Sequence, residues 1–293
     1  MIILPGPASK NLANRLASEL KTRLIPVFSK SFPDGESYIR IEGDLEGEEV
    51  VIVQTTSPPQ DKRMMQLFLM ASEAKDQGAS NILAVIPYFA YSRQDKAFLP
   101  GEAFSAKTVI SILKACGVTQ IITVNAHNPQ ALTSFTLPIK DLSAIPLLAR
   151  YFKDQGYKGA VSLSMGKKGL ANAKEAATIL GGEYDFIPTQ RDPHTGKVTI
   201  EEKRLDVKGK VAILFDDIIS SGGTMTKSVA HTKNQGASKV YAACVHPLLI
   251  ANARERIVQN GADEVIGTDS VTSMVSVVSV APIIAEALVK NGA

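Results

Sequence analysis

The stretch QGASKVYAACVHP, residues 235–247, repeats in outline an earlier stretch, QGASNILAVIP, residues 77–87. In each, a glycine-containing turn runs into a short apolar segment rich in β-branched residues, which stops at a proline. Each copy also follows a helix-like segment that is itself preceded by another apolar run, VVIVQTT (50–56) for the first copy and VAILFDD (211–217) for the second. Four matching residues can arise by chance. The same match inside the same strand–helix–strand context is far less easily accidental, and it implies two similar domains.

The rest of the chain extends this pattern. Strand-like segments at MIILPG, SNILAVIPY, QIITVNA, KGAVSLSM, KVAILFDD, KVYAACVHP and EVIGTDS alternate with helix-like ones at SKNLANRLASELKTRL, RMMQLFLMASEAKDQG, SAKTVISILKACG, GLANAKEAATILGG and MTKSVAHTKNQG. Several of these helices stop at glycine, a common helix terminator. Regular alternation of this kind predicts an α/β fold with mostly parallel sheets flanked by helices. The 293 residues suit two domains. We expect them over residues 1–143 and 144–293, joined near Lys140–Pro146, with the C-terminal helix packing back across.

Bulk properties narrow the class. A formal net charge of +3 gives no argument for nucleic-acid binding. The apolar run VTSMVSVVSVAPIIAEALV is broken by Pro282 and Glu286 and reads as a strand and a helix, so no membrane association is expected. Two cysteines, Cys116 and Cys244, make no disulfide framework and have no metal-site spacing, which fits a reducing cytoplasm. The start MIILPGPASK lacks a basic leader, so no signal peptide is expected.

The chemistry concentrates in LFDDIISSGGTM, residues 214–225. Asp216 and Asp217 stand at the carboxyl end of an apolar strand, where open parallel sheets bind ligands. Ser220, Ser221, Gly222, Gly223 and Thr224 then form a turn that opens a helix. Such a turn presents backbone N–H groups and hydroxyls to a phosphate, and the helix dipole favours the anion. The paired carboxylates can accept hydrogen bonds from vicinal hydroxyls. Together these features suit a sugar phosphate, especially ribose 5-phosphate. The plainer alternative is a helix cap beside an ordinary glycine turn. A P-loop is excluded by spacing.

This stretch resembles the ribose-phosphate loop shared by phosphoribosyltransferases and ribose-phosphate pyrophosphokinases (PRPP synthetases). The chain as a whole is similar to the second family, nearest to its short archaeal-type form. FPDGESYIR (32–40), YFAYSRQDKAFLPGEAFSAK (88–107), NAHNP (125–129) and GTDSV (267–271) all stand where that family has counterparts. The resemblance implies two phosphoribosyltransferase-like domains and transfer of diphosphate from ATP to ribose 5-phosphate, giving PRPP and AMP. It assigns ribose hydroxyls to Asp216 and Asp217 and the 5-phosphate to residues 220–224. It also implies that Arg93, Gln94 and Lys96 contact ATP with Asp95 nearby, and that Phe32, Asp34 and Glu36 reach an adenine pocket from a neighbouring subunit. His127 would bind the metal of Mg²⁺–ATP. Arg93 and Lys96 are cations suited to a polyphosphate, although a solvated surface cluster is the commoner role for such residues. A homo-oligomer, dimeric or built from dimers, is the family's default.

Two positions depart from the family pattern. In SMGKKG (164–169), Gly166 replaces an aspartate that helps bind metal and ribose, and Lys167 and Lys168 add positive charge. In PTQRDPHTGK (188–197), Thr189 replaces a lysine of the catalytic loop, while Arg191 is kept and Lys197 follows. Arg191 and Lys197 are therefore the candidate catalytic cations. Losing one transition-state cation costs roughly a hundredfold to a thousandfold in rate. Two alternatives to an ordinary synthetase follow: a non-catalytic homologue that binds ATP or ribose phosphate, and a related enzyme acting on another pentose phosphate.

Overall fold

The computed structural model describes the chain apart from residues 95–99, 129–131, 133–134, 136, 192–197 and 292–293, and apart from the side chains of Arg191, Val198 and Asn291. It forms two units. The first comprises Met1–Ser143, Ser270–Thr272 and Val280–Ala293, and the second Ala144–Asp269 and Ser273–Ser279.

In chain order, the first unit holds β1 (Ile2–Pro5), α1 (Lys10–Leu20), β2 (Arg23–Leu24), β3 (Val27–Ser31), β4 (Ser37–Ile41), β5 (Glu49–Val53), α2 (Gln60–Asp76), β6 (Asn81–Ile86), α3 (Ser105–Ala115), β7 (Gln120–Val124) and β8 (Ile139–Leu142). The C-terminal helix α8 (Ala281–Asn291) packs on α1. Six strands make a parallel sheet in the order β2-β1-β5-β6-β7-β8. Strands in such a sheet are covered on both faces, so they are apolar throughout rather than alternating. Ile2, Ile3 and Leu4 and the run Val50–Val53 are accordingly all buried. Strands β3 and β4 pair antiparallel as a separate hairpin.

The second unit repeats the plan. It holds α4 (Ile145–Asp154), β9 (Val161–Met165), a 3-10 turn at Lys167–Gly169, α5 (Leu170–Leu180), β10 (Tyr184–Ile187), β11 (Thr189–Arg191), β12 (Val198–Ile200), β13 (Val211–Ile219), α6 (Gly223–Asn234), β14 (Lys239–Pro247), α7 (Ala253–Gln259), β15 (Glu264–Thr268) and β16 (Ser276–Val278). Its sheet runs β10-β9-β13-β14-β15-β16 with every pairing parallel. Position for position this is the order of the first sheet, as the repeated QGAS segments imply. Phe152 on α4 anchors the core, with ring contacts to Phe215 at 6.3 Å and Tyr241 at 5.4 Å between centroids. No helix among the described residues is long and apolar enough to cross a membrane.

In both sheets the chain steps from its first strand to one side and then returns to the other. The reversal lies between β1 and β5 in the first unit and between β9 and β13 in the second. Loops that leave such a pair diverge, and the crevice between them is where open α/β sheets bind ligands.

Candidate active site

Strand β13 outruns its neighbour. Its pairing with β9 stops at Phe215↔Ser164, whereas its pairing with β14 continues to Ile219↔Pro247. Asp216 and Asp217 thus lie inside the strand's last four residues, on a stretch whose β9 side is open. Both are half-buried. Asp216 Oδ1 accepts the Asp217 N–H at 2.9 Å, and Asp217 Oδ1 accepts the Ile218 N–H at 2.9 Å. Cys244 stands opposite Asp216 across the ladder and is fully buried. Burial, and then the charge of Asp216, hold its thiol far above the ordinary range.

The turn after β13 is shaped by one glycine. Gly222, the residue before α6, is left-handed at φ 73°, and a Cβ there would lie 3.0 Å from Ala253 Cβ and 3.2 Å from Ile257 Cδ1 on α7. Both the conformation and the space require glycine. Gly223 differs, because a Cβ there would meet nothing within 4 Å. That open side faces the start of a twelve-residue helix with no acidic residue in its first turn and no side-chain cap at Gly222. Ser220 and Thr224 are half-buried and Ser221 is exposed. Such a helix start suits an anion.

The turn is held from behind by a segment that carried no sequence signal. Leu249 N–H donates to Ile219 O at 3.0 Å and Ile250 N–H to Ser220 O at 3.1 Å. Arg256 on α7 donates through Nη2 to Ser221 O at 2.5 Å and through Nη1 to Ala251 O. Three non-glycine residues of this strap are left-handed: Leu249 (φ 47°), Ala251 (φ 52°) and Asn252 (φ 56°). Such conformations persist only where surrounding contacts over-determine them.

Beside this turn, at the end of β9, lies Gly166. Its φ of 77° and ψ of 161° belong to a region open essentially to glycine alone. A Cβ there would lie 3.1 Å from Thr189 Oγ1. The two departures from the family pattern are therefore neighbours. Lys167 and Lys168 follow, both exposed. Arg191 is the last residue of β11, paired with Val198. Its side chain and the whole of Lys197 fall outside the described residues.

In the first unit, Arg93 and Gln94 follow β6 and His127 follows its neighbour β7, so these two segments share one sheet edge. Arg93 and His127 are exposed and Gln94 is half-buried. Asp95 and Lys96 lie outside the described residues. Tyr91, left-handed at φ 67°, donates its hydroxyl to Asp61 on α2. Behind His127, Asp141 on β8 accepts the Ala126 N–H at 2.9 Å. Burial raises the Asp141 carboxyl from 3.8 to about 6, and the Ala126 hydrogen bond opposes this. Phe32, Asp34 and Glu36 occupy the turn of the β3–β4 hairpin, where Phe32 N–H donates to Glu36 O at 2.9 Å and Gly35 N–H to Phe32 O at 2.9 Å. Among the described residues no group of three His, Cys, Asp or Glu side chains converges as a metal cage.

The chain is similar to known proteins along its length. Residues 1–117 match the model of the N-terminal domain of ribose phosphate pyrophosphokinase, and residues 142–280 match the phosphoribosyl transferase domain. A ribose-phosphate pyrophosphokinase of Methanothermobacter thermautotrophicus is 41% identical over 290 residues, covering 98% of this chain and 99% of the relative. One from Methanopyrus kandleri is 39% identical, covering 98% of each. The crystal structure of the phosphoribosylpyrophosphate synthetase from Mycobacterium smegmatis superposes with a TM-score of 0.86 at 29% identity, over 100% of this chain and 99% of that one.

Two outcomes follow from the site geometry. Arg256→Ala removes charge-assisted donors from Ser221 O and Ala251 O, so amide exchange at residues 220–224 should accelerate and stability should fall by about 1.5–3 kcal/mol. Arg256→Lys should restore part of the protection. Unchanged exchange would show that the strap does not hold the turn. For Asp141, the raised carboxyl means that the native state binds the proton more tightly than the unfolded chain. Its charged form therefore costs stability progressively from about pH 4 to pH 6, and the full cost is present above that. Asp141→Asn keeps the acceptor for Ala126 and should stabilise the protein at pH 8 by up to about 3 kcal/mol, with little gain at pH 4. Urea unfolding at the two pH values checks this.

Proposed function

The chain belongs to the ribose-phosphate pyrophosphokinase family, and we propose that it transfers diphosphate from ATP to ribose 5-phosphate. The observation that carries this reading is the pair Asp216–Asp217 on the open end of β13, followed at once by the uncapped, glycine-shaped start of α6. In this reading the turn at 220–224 holds the 5-phosphate, and the two carboxylates accept hydrogen bonds from the ribose hydroxyls. The anomeric oxygen is thereby fixed as the nucleophile. It bonds to the β-phosphorus of ATP, the bridge from that phosphorus to the α-phosphate breaks, AMP leaves, and the hydroxyl proton passes to solvent.

Arg93, with Gln94, Asp95 and Lys96, belongs to the nucleotide phosphates, and His127 to the metal-bound nucleotide. Mg²⁺ supplies charge neutralisation on the phosphates when bound. An ion that arrives on ATP phosphates and keeps its waters needs few protein ligands, and His127 would be one. Arg191 and Lys197 are the cations for the transferring group. Catalysis is chiefly positioning and electrostatic stabilisation.

The hairpin supports a homo-oligomer. Phe28 and Phe32 are 43% and 40% exposed, and Tyr38 packs edge-on against both at centroid distances of 6.1 Å and 6.0 Å. An exposed aromatic face of this kind suits burial by a second copy, which would bring Phe32, Asp34 and Glu36 to the adenine of its neighbour. The reducing cytoplasm is the compartment that suits its thiols.

Positions 166 and 189 are neighbours, since a Cβ at 166 would lie 3.1 Å from Thr189 Oγ1, so the family's aspartate and lysine at these positions would stand close together. Lys167 and Lys168 still supply positive charge nearby.

AMP formation from ATP that depends on ribose 5-phosphate tests the activity directly, and its absence would favour the non-catalytic homologue. Asp217→Ala should raise the KM for ribose 5-phosphate at least tenfold and leave ATP binding by calorimetry nearly unchanged. Equal loss of both ligands, with the fold intact, would assign Asp217 another role. At the altered pair, Gly166→Asp alone forces a side chain onto a glycine conformation and should lose about 1–3 kcal/mol of stability. Adding Thr189→Lys should recover part of that and give faster PRPP formation than either single change. A double variant no better than Gly166→Asp would show that the two positions do not act together.

A further inference from the structure

Gln235, the first residue of the second QGAS segment, follows directly on α6, and its side chain leaves the helix to grip the segment after β12. Gln235 Oε1 accepts the Leu205 N–H at 2.6 Å, and Gln235 Nε2 donates to Lys203 O at 2.7 Å. The same Nε2 lies 2.7 Å from His231 Nε2, one turn back on α6. With that ring nitrogen as acceptor, His231 takes the second proton of the amide, and both of its ends are committed.

Lys203 makes the other half of the grip. Its carbonyl is held by α6 and its ammonium by β10. Nζ donates to Asp185 Oδ1 at 2.5 Å and to Phe186 O at 3.1 Å, and it lies 3.8 Å from the centroid of the Phe186 ring. Three partners in different directions fix the ammonium better than a lone exposed ion pair would. Residue 203 is thus fastened to α6 on one side and to β10 on the other.

The β11–β12 hairpin stands between these anchors. β10 ends at Ile187 and β11 starts at Thr189, and on the return Glu201 N–H donates to Pro188 O at 3.1 Å. Lys203 and Leu205 follow on the returning limb, ahead of the buried Val207. α6 also packs against β12. The helix whose start forms the 220–224 turn therefore holds the hairpin by its other end, a span of about 18 Å for twelve residues.

The repeat supplies a comparison. Its backbone is tied alike in the two units, by Gly47 N–H to Gly78 O at 2.9 Å and by Gly209 N–H to Gly236 O at 2.8 Å. The glutamines differ. Gln77 Nε2 turns back to Glu73 Oε1 on its own helix at 2.8 Å. The shared fold thus does not by itself require Gln235 to reach across to the hairpin.

We propose that Gln235 and Lys203 are positioning residues for diphosphate transfer, tying the hairpin that carries Arg191 to the helix that starts at the ribose 5-phosphate turn. This rests on the reading in which Arg191 serves the transferring group and residues 220–224 hold the 5-phosphate. One helix then carries the sugar at its start and sets the hairpin from its end. A misplacement of about 1 Å can cost on the order of a hundredfold in rate. A hairpin released from α6 would lose rate while the phosphate turn kept its grip.

Hydrogen exchange and steady-state kinetics on the full chain test this. Gln235→Met keeps the side-chain length and removes both hydrogen bonds. Lys203→Met keeps the stem over Phe186 and removes the ammonium, and Lys203→Arg keeps a cation. In both methionine variants amide exchange at 189–191 and 198–203 should accelerate about tenfold or more, while 220–224 keeps its protection. The kcat for PRPP formation should fall about tenfold or more, with KM for ribose 5-phosphate and ATP within about twofold of the parent. Lys203→Arg should recover most of the rate. If Gln235→Met fails to fold, Gln235→Glu serves, since it keeps the acceptor for Leu205 and turns a carboxylate on Lys203 O. Unchanged exchange at the hairpin would overturn the anchor. Faster exchange with unchanged kcat, or a loss carried by KM, would overturn the positioning role. Exchange is read without substrates, so failure of the anchor is separable from failure of the parent protein to form AMP.

Discussion

Parallel strands place all their carboxyl ends on one edge, and a sheet built outward from its middle strand must leave two diverging loops on that edge. The placement of the Asp216–Asp217 pair depends on that constraint. The reversal between β9 and β13 frees the last four residues of β13 from pairing on one side, so that two carboxylates can sit half-buried rather than capped by a ladder. The same reversal lets the following turn approach α7 closely enough that only glycine fits at 222. With a strand paired beside residues 216–219, Asp216 and Asp217 would face a full ladder rather than an open side.

Much of this was legible in the sequence because the governing signals are local. The apolar runs of β1, β5, β6, β13 and β14 stand out, since a strand covered on both faces is mostly apolar, whereas β9 buries Ser162 and Ser164 among its apolar residues. The QGAS repeat disclosed the duplicated plan, and the glycines and hydroxyls of 220–224 marked the turn. The strap behind that turn was not legible. Leu249, Ala251 and Asn252 take left-handed backbone without being glycine, so tertiary contacts, not local preference, set their geometry. Arg256 gives no sign of its role either, because its partners are backbone carbonyls with no residue identity to read. Asp141 is hidden for a related reason: its burial arises from the β7–β8 packing, not from its neighbours in sequence.

The altered pair shows what residue identity conceals. Read as separate substitutions, Gly166 and Thr189 each remove a charge from the reaction centre and each count against activity. Read as neighbours, they alter one place rather than two, and the exposed Lys167 and Lys168 beside it add positive charge. The backbone at Gly166 has meanwhile settled into a conformation that a side chain resists, so the change is not a simple vacancy waiting for an aspartate. A carboxylate returned alone would sit on a strained backbone.

The two sheet reversals also carry charge of different kinds. In the second unit, a glycine turn and the start of α6 offer partial charges fixed to the backbone. Their directions are set by the fold, so the site selects by shape and is little affected by side-chain disorder. In the first unit, Pro59 occupies the corresponding turn, and the charge beside it is that of the side chains Lys10, Lys62 and Arg63. Full charges on long stems attract more strongly and at longer range, but they are screened by salt and adapt to many anion shapes. The neutral amides of Gln54 and Gln66 hold Arg63 in place without cancelling its charge.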